Sequence, residues 1–250
     1  MPRILPVRAA ATAALTLALA GCGGGSRALK VSAAASLRPA LERYAHQLHV
    51  VDVRLNFGGS DLLAAQIRAG ARFDVFAAAN AKLPEALFAE GRVDRPVAFA
   101  RNRLVLGVPA GSHRVRSLAD LAKPGIRLAI GAPSVPVGAY TGQVLGRLPG
   151  GERRRILGHV RSREPDVAGI VGKLAEGAVD AGFVYVTDVT AAHGRIRPIE
   201  LPAALRPRVV YEAAVVRGSK RARQARAFID GLLRGAGQRT LREAGFEPPR

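Results

Sequence analysis

The stretch Leu29 to Ser60, LKVSAAASLRPALERYAHQLHVVDVRLNFGGS, decides the fold. Leu29 to Ala35 is a short apolar run of the kind that forms a buried strand. Behind Ser36, the residues Leu37, Ala40, Leu41, Tyr44 and Leu48 recur at helical spacing. Val51, Val53, Leu55 and Phe57 then alternate with Asp52, Arg54 and Asn56, which is the period of a half-buried strand. Gly58 and Gly59 break that strand, and Ser60 opens the next helix. Strand, helix, strand, helix at these lengths implies a parallel sheet covered by helices.

Working outward, the same alternation continues. Leu63 and Ile67 lie one turn apart in the helix from Ser60, and Gly70 fits its stop. Phe73 to Ala78 is a third strand, and a helix from about Lys82 to Glu90 ends at Gly91. Val97 to Ala100 and Leu104 to Val108 lead into Pro109-Ala110-Gly111, a passage between lobes. A helix near Leu118 to Ala122, a strand at Leu128 to Ile130, a helix from Val137 and a basic helix around Glu152 to Leu157 follow. Val160 to Ser162 is a strand, Asp166 opens a helix, and Ala181 to Val186 is a strand before a helix opened by Thr187-Asp188. Val209 to Val216 crosses back, and two helices from about Lys220 close the chain. The fold class is therefore α/β, with two lobes joined by two crossing segments, lobe 1 from 29–101 plus 213–250 and lobe 2 from 102–212.

The N-terminus reads as a secretion signal over residues 1–21. Arg3 and Arg8 precede an apolar run, Ala9 to Ala20, too short to span a bilayer. Cys22, the single cysteine, follows Leu19-Ala20-Gly21 and resembles the acylated cysteine of a bacterial lipobox, with residues 22–28 as a flexible tether. The expected location is the outer face of the cell membrane, held by a lipid on Cys22, or the periplasm. One cysteine allows no internal disulfide. Cleavage leaves about 229 residues, enough for one large domain or two lobes of roughly 110. Losing Arg3 and Arg8 takes the formal charge from +19 to +17. That balance attracts anions, whether nucleic acid, an anionic membrane or a small oxyanion.

Several chemistries are missing from the sequence. There is no P-loop, no G-x-G-x-x-G opening a helix, no H-E-x-x-H and no cysteine pair for zinc. His46 and His49 read as a solvated i, i+3 pair on a helix face. Gly58-Gly59-Ser60-Asp61-Leu62 starts like a nucleophile elbow but lacks the closing glycine and a placed histidine base. Arg153-Arg154-Arg155 and the stretch Arg217 to Arg226 carry no interleaved aromatics for stacking bases, so nucleic acid is not an expected partner. No enzyme activity and no cofactor are expected.

Strand ends instead run directly into helix starts at Ser36 and Ser60. In an open parallel sheet, ligands sit beyond the carboxyl ends of the strands, where helix N-termini present unpaired N–H groups and partial positive charge. Each serine alone is a plain N-cap; two at adjacent strand ends form an anion-binding rim.

Ser32-Ala33-Ala34-Ala35-Ser36-Leu37, Asn56-Phe57-Gly58-Gly59-Ser60, Gln66-Ile67-Arg68-Ala69-Gly70 and Phe73-Asp74-Val75-Phe76 resemble the first lobe of the periplasmic molybdate-binding proteins of ABC transporters. Val135-Pro136-Val137-Gly138-Ala139-Tyr140, Asp166-Val167, Gly182-Phe183-Val184-Tyr185 with Asp188, and Ala244-Gly245-Phe246 with Pro248 and Pro249 resemble the rest. The resemblance implies the type II periplasmic-binding-protein fold, with a mainly parallel sheet flanked by helices in each lobe. It also implies a monomer that binds molybdate or tungstate and hands it to an ABC permease. On the same basis, Ser36 and Ser60 would donate hydroxyl and backbone N–H groups, Val137 and Val167 a backbone N–H each, and Tyr185 its phenol, with no protein ligand directly on the metal.

Two departures stand out. Val137 replaces a frequent alanine, and Asp61 replaces a neutral small residue where a carboxylate could repel a dianion. Asp166 is expected to cap its helix and leave the Val167 N–H free. Sulfate and phosphate are the alternative ligands, phosphate needing an acceptor such as Asp61 or Asp166; an enzyme on the same fold is the more distant alternative.

Overall fold

A computed structural model describes residues 28–49 and 51–249. The expected signal segment and Cys22 lie outside them. Of the expected tether only Ala28 is described, and it is buried, 1 % exposed, at the start of the first strand.

The strands are β1 Leu29–Ala34, β2 Val53–Gly58, β3 Val75–Ala78, β4 Val97–Asn102, β5 Leu104–Pro109, β6 Leu128–Gly131, β7 Val160–Glu164, β8 Ala181–Tyr185, β9 Ile196–Ile199 and β10 Val209–Val215. The α-helices are α1 Arg38–Gln47, α2 Ser60–Arg68, α3 Lys82–Ala89, α4 Pro136–Gly146, α5 Gly150–Gly158, α6 Val167–Ala175, α7 Val186–Ala191, α8 Ala222–Arg234 and α9 Ala236–Glu243. Two five-stranded sheets result, ordered β2-β1-β3-β10-β4 and β7-β6-β8-β5-β9.

In the first sheet β1 pairs parallel with β2 and β3, while β10 runs antiparallel between β3 and β4. The second repeats the plan: β6 is parallel to β7 and β8, and β5 is antiparallel to β8 and β9. Each reversed strand follows a crossing from the other sheet. β4 ends at Asn102 and β5 begins at Leu104, so the first crossing is made at Arg103; the second is complete by Val209, since β10 pairs from that residue onward.

The alternation of side chains places both faces of the first sheet in apolar surroundings. Val75 and Ala77 of β3 join Leu37, Leu41, Phe228 and Leu232 on the face covered by α1, α8 and α9. Phe76 and Ala78 point the other way, to Leu63, Ile67 and Leu87 of α2 and α3. This is the period-2 pattern of a strand buried on both sides, and each large side chain so buried contributes about 1.5–3 kcal/mol. Ala225, Phe228, Ile229 and Leu232 form the buried stripe of α8.

Three local expectations change. Leu118–Ala122 is a 3-10 helix, closed by Asp120 Oδ2 accepting from the Arg116 and Ser117 N–H groups. α1 ends at Gln47, so His49 lies past the helix and the two exposed histidines do not share its face. β9 was not legible as a strand. Among the described residues no helix is long and apolar enough to cross a membrane.

Candidate functional site

The carboxyl ends of the parallel strands in the two sheets converge on one small cavity of about 20 Å³, enough for one compact guest. Ser36, Ser60, Val137, Val167 and Tyr185 all line it, together with Gly59 and Asp166 among others. The five residues singled out from the sequence are therefore brought together, three from the second sheet and two from the first.

Each arrives by a short local device. β1, an interior strand paired with β2 and β3, runs into a single 3-10 turn, Ala35–Leu37, that holds Ser36 at 4 % exposure. β2 ends at Gly58; Gly59 caps α2 in an extended conformation, and Ser60 is the first helical residue. Beyond β6, α4 begins with Pro136, whose missing N–H costs nothing at that position, and Val137 follows. The turn is tight because Gly138 packs against the Gly131 and Ala132 carbonyls, where a side chain would collide. Beyond β7, Asp166 Oδ1 accepts from the N–H groups of Ala168 (2.9 Å) and Gly169 (3.3 Å), as a helix N-cap should. That leaves the N–H of Val167, first residue of α6, outside the helix's own bonds. Tyr185 is the last residue of β8.

The cavity is thus ringed by the starts of α2, α4 and α6, each carrying partial positive charge. No lysine or arginine lines it. Among the described residues no group of three or more His, Cys, Asp or Glu could hold a metal ion. The arrangement offers neutral donors, and the one carboxylate in the lining, Asp166, has its Oδ1 engaged in capping α6.

The hydroxyl geometry sets the direction of those donors. The Ala79 N–H donates to Ser60 Oγ (3.1 Å), so the serine's own proton is available to the cavity. Ser36 Oγ lies 2.8 Å from Tyr211 Oη. The Arg103 N–H donates to Asn102 Oδ1 (2.9 Å), which fixes the amide so that Nδ2 faces Thr187 Oγ1 (2.8 Å) and Tyr211 Oη (3.5 Å). Asn102 Nδ2 can only donate, so of the two partners of Tyr211 only Ser36 Oγ can accept its proton; with Tyr211 donating to it, Ser36 has its own proton left for the cavity. Burial first, then the Asp188 carboxylate, pushes the Tyr211 phenol well above its ordinary range, so it keeps the proton this chain needs.

Tyr185 differs from its neighbours. It is 1 % exposed, and its Oη has no hydrogen-bond partner among the described residues. Burial, followed by Tyr211, Tyr140 and Asp188, raises its pKa well above the usual value, so it is a donor at any physiological pH. A buried hydroxyl left unpaired costs about 1–3 kcal/mol. Its ring meets Tyr211 edge-on, centroids 6.0 Å apart, joining β8 of one sheet to β10 of the other. Asp188 Oδ2 accepts the Tyr185 N–H (2.8 Å), and burial raises that carboxyl to about 7.

The two lobes touch at Gly59. A side chain there would overlap the Pro165 carbonyl oxygen and lie 3.4 Å from Val135 Cγ1, both on the second-sheet side. Asp61 is not among the lining residues; its Oδ1, buried with no hydrogen-bond partner among the described residues, lies on the same side of Gly59 as the Pro165 carbonyl, 2.8 Å from where a Gly59 side chain would begin.

The family model for bacterial extracellular solute-binding proteins matches residues 29–247. The chain belongs to that family. The solute-binding protein is 33 % identical over 236 residues to the molybdate-binding protein ModA of Mycobacterium tuberculosis (strain ATCC 25618 / H37Rv), covering 92 % of this chain and 88 % of that one. It is 29 % identical to the putative ABC transporter substrate-binding lipoprotein YvgL of Bacillus subtilis (strain 168), over 94 % and 95 % of the two chains. The periplasmic molybdate-binding protein of Azotobacter vinelandii superposes with a TM-score of 0.80 at 26 % identity, covering 89 % of this chain and 100 % of the other. These matches place the solute-binding protein in the periplasmic-binding-protein fold, outside the cytoplasm, and set it apart from enzymes on related lobes.

Sequence reasoning missed Tyr211, Asn102 and Thr187. Tyr211 stands in an apolar strand, and nothing local marks it as the partner of a serine 175 positions away.

Proposed function

We propose that this solute-binding protein captures molybdate, and tungstate about equally well, between its lobes and delivers it to an ABC permease for import. Tyr185 carries the reading: a buried hydroxyl that keeps its proton and has no partner among the described residues, lining a cavity with Ser36, Ser60 and helix starts. Molybdate at neutral pH is a dianion without protons, so it needs donors alone, and donors are what the cavity presents. About six charge-assisted bonds of roughly 1.5–3 kcal/mol each, less the desolvation of the dianion, leave the ~8 to 11 kcal/mol of a micromolar to ~10 nM site. The names of the mycobacterial and Azotobacter relatives support the same ligand.

Ser36 and Ser60 donate hydroxyl and N–H groups, Val137 and Val167 their N–H groups, and Tyr185 its phenol. The protein works as a monomer, tethered by a lipid on Cys22, a reading supported by the lipoprotein name of the Bacillus relative. Phosphate, which usually keeps a proton at this pH, is disfavoured because Asp166 Oδ1 is engaged by two backbone N–H groups.

Thermal unfolding with each anion tests the reading. At a thousandfold excess over Kd the ligand adds about 4 kcal/mol, on the order of 10 °C for a chain of this size. Molybdate and tungstate should give that rise, with sulfate and phosphate giving little. No shift with saturating molybdate in low-salt buffer would overturn it.

A further inference from the structure

We propose that the basic cleft at the strand-start edge of the first sheet rests on anionic phospholipid headgroups. The cleft has a volume of about 640 Å³ and lies between Lys30 near the start of β1, Asp74 just before β3, and the segment Val216–Arg221 that follows the reversed β10. It opens opposite the Ser36–Ser60 end of the sheet, about 20 Å away along the six residues of β1.

Charge is the first argument. Lys30, Arg72, Arg92, Arg217 and Lys220 line the cleft, and all but the half-buried Lys30 are exposed. Asp74 is the acidic residue of the lining, and it is buried: Oδ2 accepts the Lys30 N–H (2.8 Å) and Oδ1 accepts from Ser219 Oγ (2.6 Å). Asp94 nearby is shared by Arg217 and Arg226; Arg92 is attracted by Glu90, a carboxylate already bonded to Arg68, and no ion pair is seen for Lys30, Arg72 or Lys220 among the described residues. Arg72 and Arg92 follow the C-termini of α2 and α3, but two helix ends supply only about half a negative charge each. The cations therefore exceed what the fold needs.

Covalent reach is the second argument. Ala28 lines the same cleft. Cys22 is six residues earlier, so an acyl group there is within roughly 20 Å of it. With Cys22 as the anchor, the first surface brought to the bilayer is this one, and the ligand cavity stays at the far edge of the sheet. An acidic protein surface would satisfy the charge but not this proximity.

The test uses the full chain and vesicles of phosphatidylcholine with or without phosphatidylglycerol, at low salt, read by co-sedimentation. The ratio of the two partition coefficients cancels any contribution that the N-terminal apolar run makes to both. Wild type should favour the anionic vesicles. The triple variant Arg72→Gln, Arg92→Gln, Lys220→Gln should lower the ratio roughly a hundredfold, about fivefold for each cation near the surface. Arg153→Gln, Arg154→Gln, Arg155→Gln removes the same charge from exposed positions on α5 and should leave the ratio within about twofold. Equal losses in the two triple variants, or a wild-type ratio near one, overturn the proposal. Neither variant touches the ligand cavity, so an intact thermal shift with molybdate in both certifies folding and separates failure here from failure of the anion reading.

Discussion

Replacing Tyr185 with phenylalanine should move two measurements in opposite directions. The Tyr185 hydroxyl is buried and unpaired among the described residues, so deleting it returns about 1–3 kcal/mol of desolvation cost to the ligand-free state. For a chain of this length that is a rise on the order of 2 to 10 °C in the apo Tm. The same hydroxyl is one of the donors assigned to the dianion, and a hydrogen bond to a charged group is worth about 1.5–3 kcal/mol. Molybdate affinity should therefore fall between about tenfold and about 150-fold. Isothermal titration gives the second number and calorimetric melting without ligand the first. An apo protein that melts lower, together with an unchanged Kd, would mean that the phenol is a core group finding its partner within the fold, and the reasoning from its isolation would fail.

Three further expectations follow from neighbouring groups. Gly59→Ala has no backbone penalty, since Gly59 sits at φ −62° and ψ 132°, but its methyl meets Pro165 across the cleft. Overpacking of about 1–3 kcal/mol should weaken ligand binding and leave the apo Tm nearly unchanged; an unaltered Kd would rule out tight closure at this point. Tyr211→Phe removes the donor that orients Ser36, so both affinity and apo stability should fall by about 1 kcal/mol, whereas a fall in stability alone would assign Tyr211 to the core. Asp188, raised to about 7 by burial, holds its proton in the fold while the unfolded chain releases it near pH 4. Unfolded chains bind fewer protons in that interval, so stability falls as pH rises from about 4 to about 7, by up to roughly 4 kcal/mol. Asp188→Asn keeps an acceptor for the Tyr185 N–H and should flatten this slope in pH-dependent melts; an unchanged slope would move the origin to other carboxyls.

What the sequence disclosed depends on how local each signal is. Ser36, Ser60 and Asp166 stand at strand-to-helix junctions that three or four residues suffice to define, and the structure places all three at such junctions. β9 escaped because Arg197 and Pro198 interrupt its apolar pattern, and proline is tolerated there because β9 is an edge strand whose one neighbour is β5. The short helix at Leu118–Ala122 carries the apolar spacing of a longer one, but its capping leaves room for a single tight turn. The network Asn102, Tyr211, Ser36 joins three segments far apart in the chain, so no window of sequence contains it. Gly59 read as a strand breaker; its second role, contact with the other lobe, depends on a residue from beyond β7.

The reversed strand in the first sheet has a consequence for biosynthesis. β4 pairs within its sheet only with β10, whose residues leave the ribosome after the whole of the second lobe. Until Val209–Val215 arrive, β3 has an open edge and β4 has no neighbour, so the first lobe cannot settle into its native sheet during synthesis. Long-range pairing of this kind slows folding. The protein therefore completes its first sheet only when its last strand is available, whichever side of a membrane that happens on.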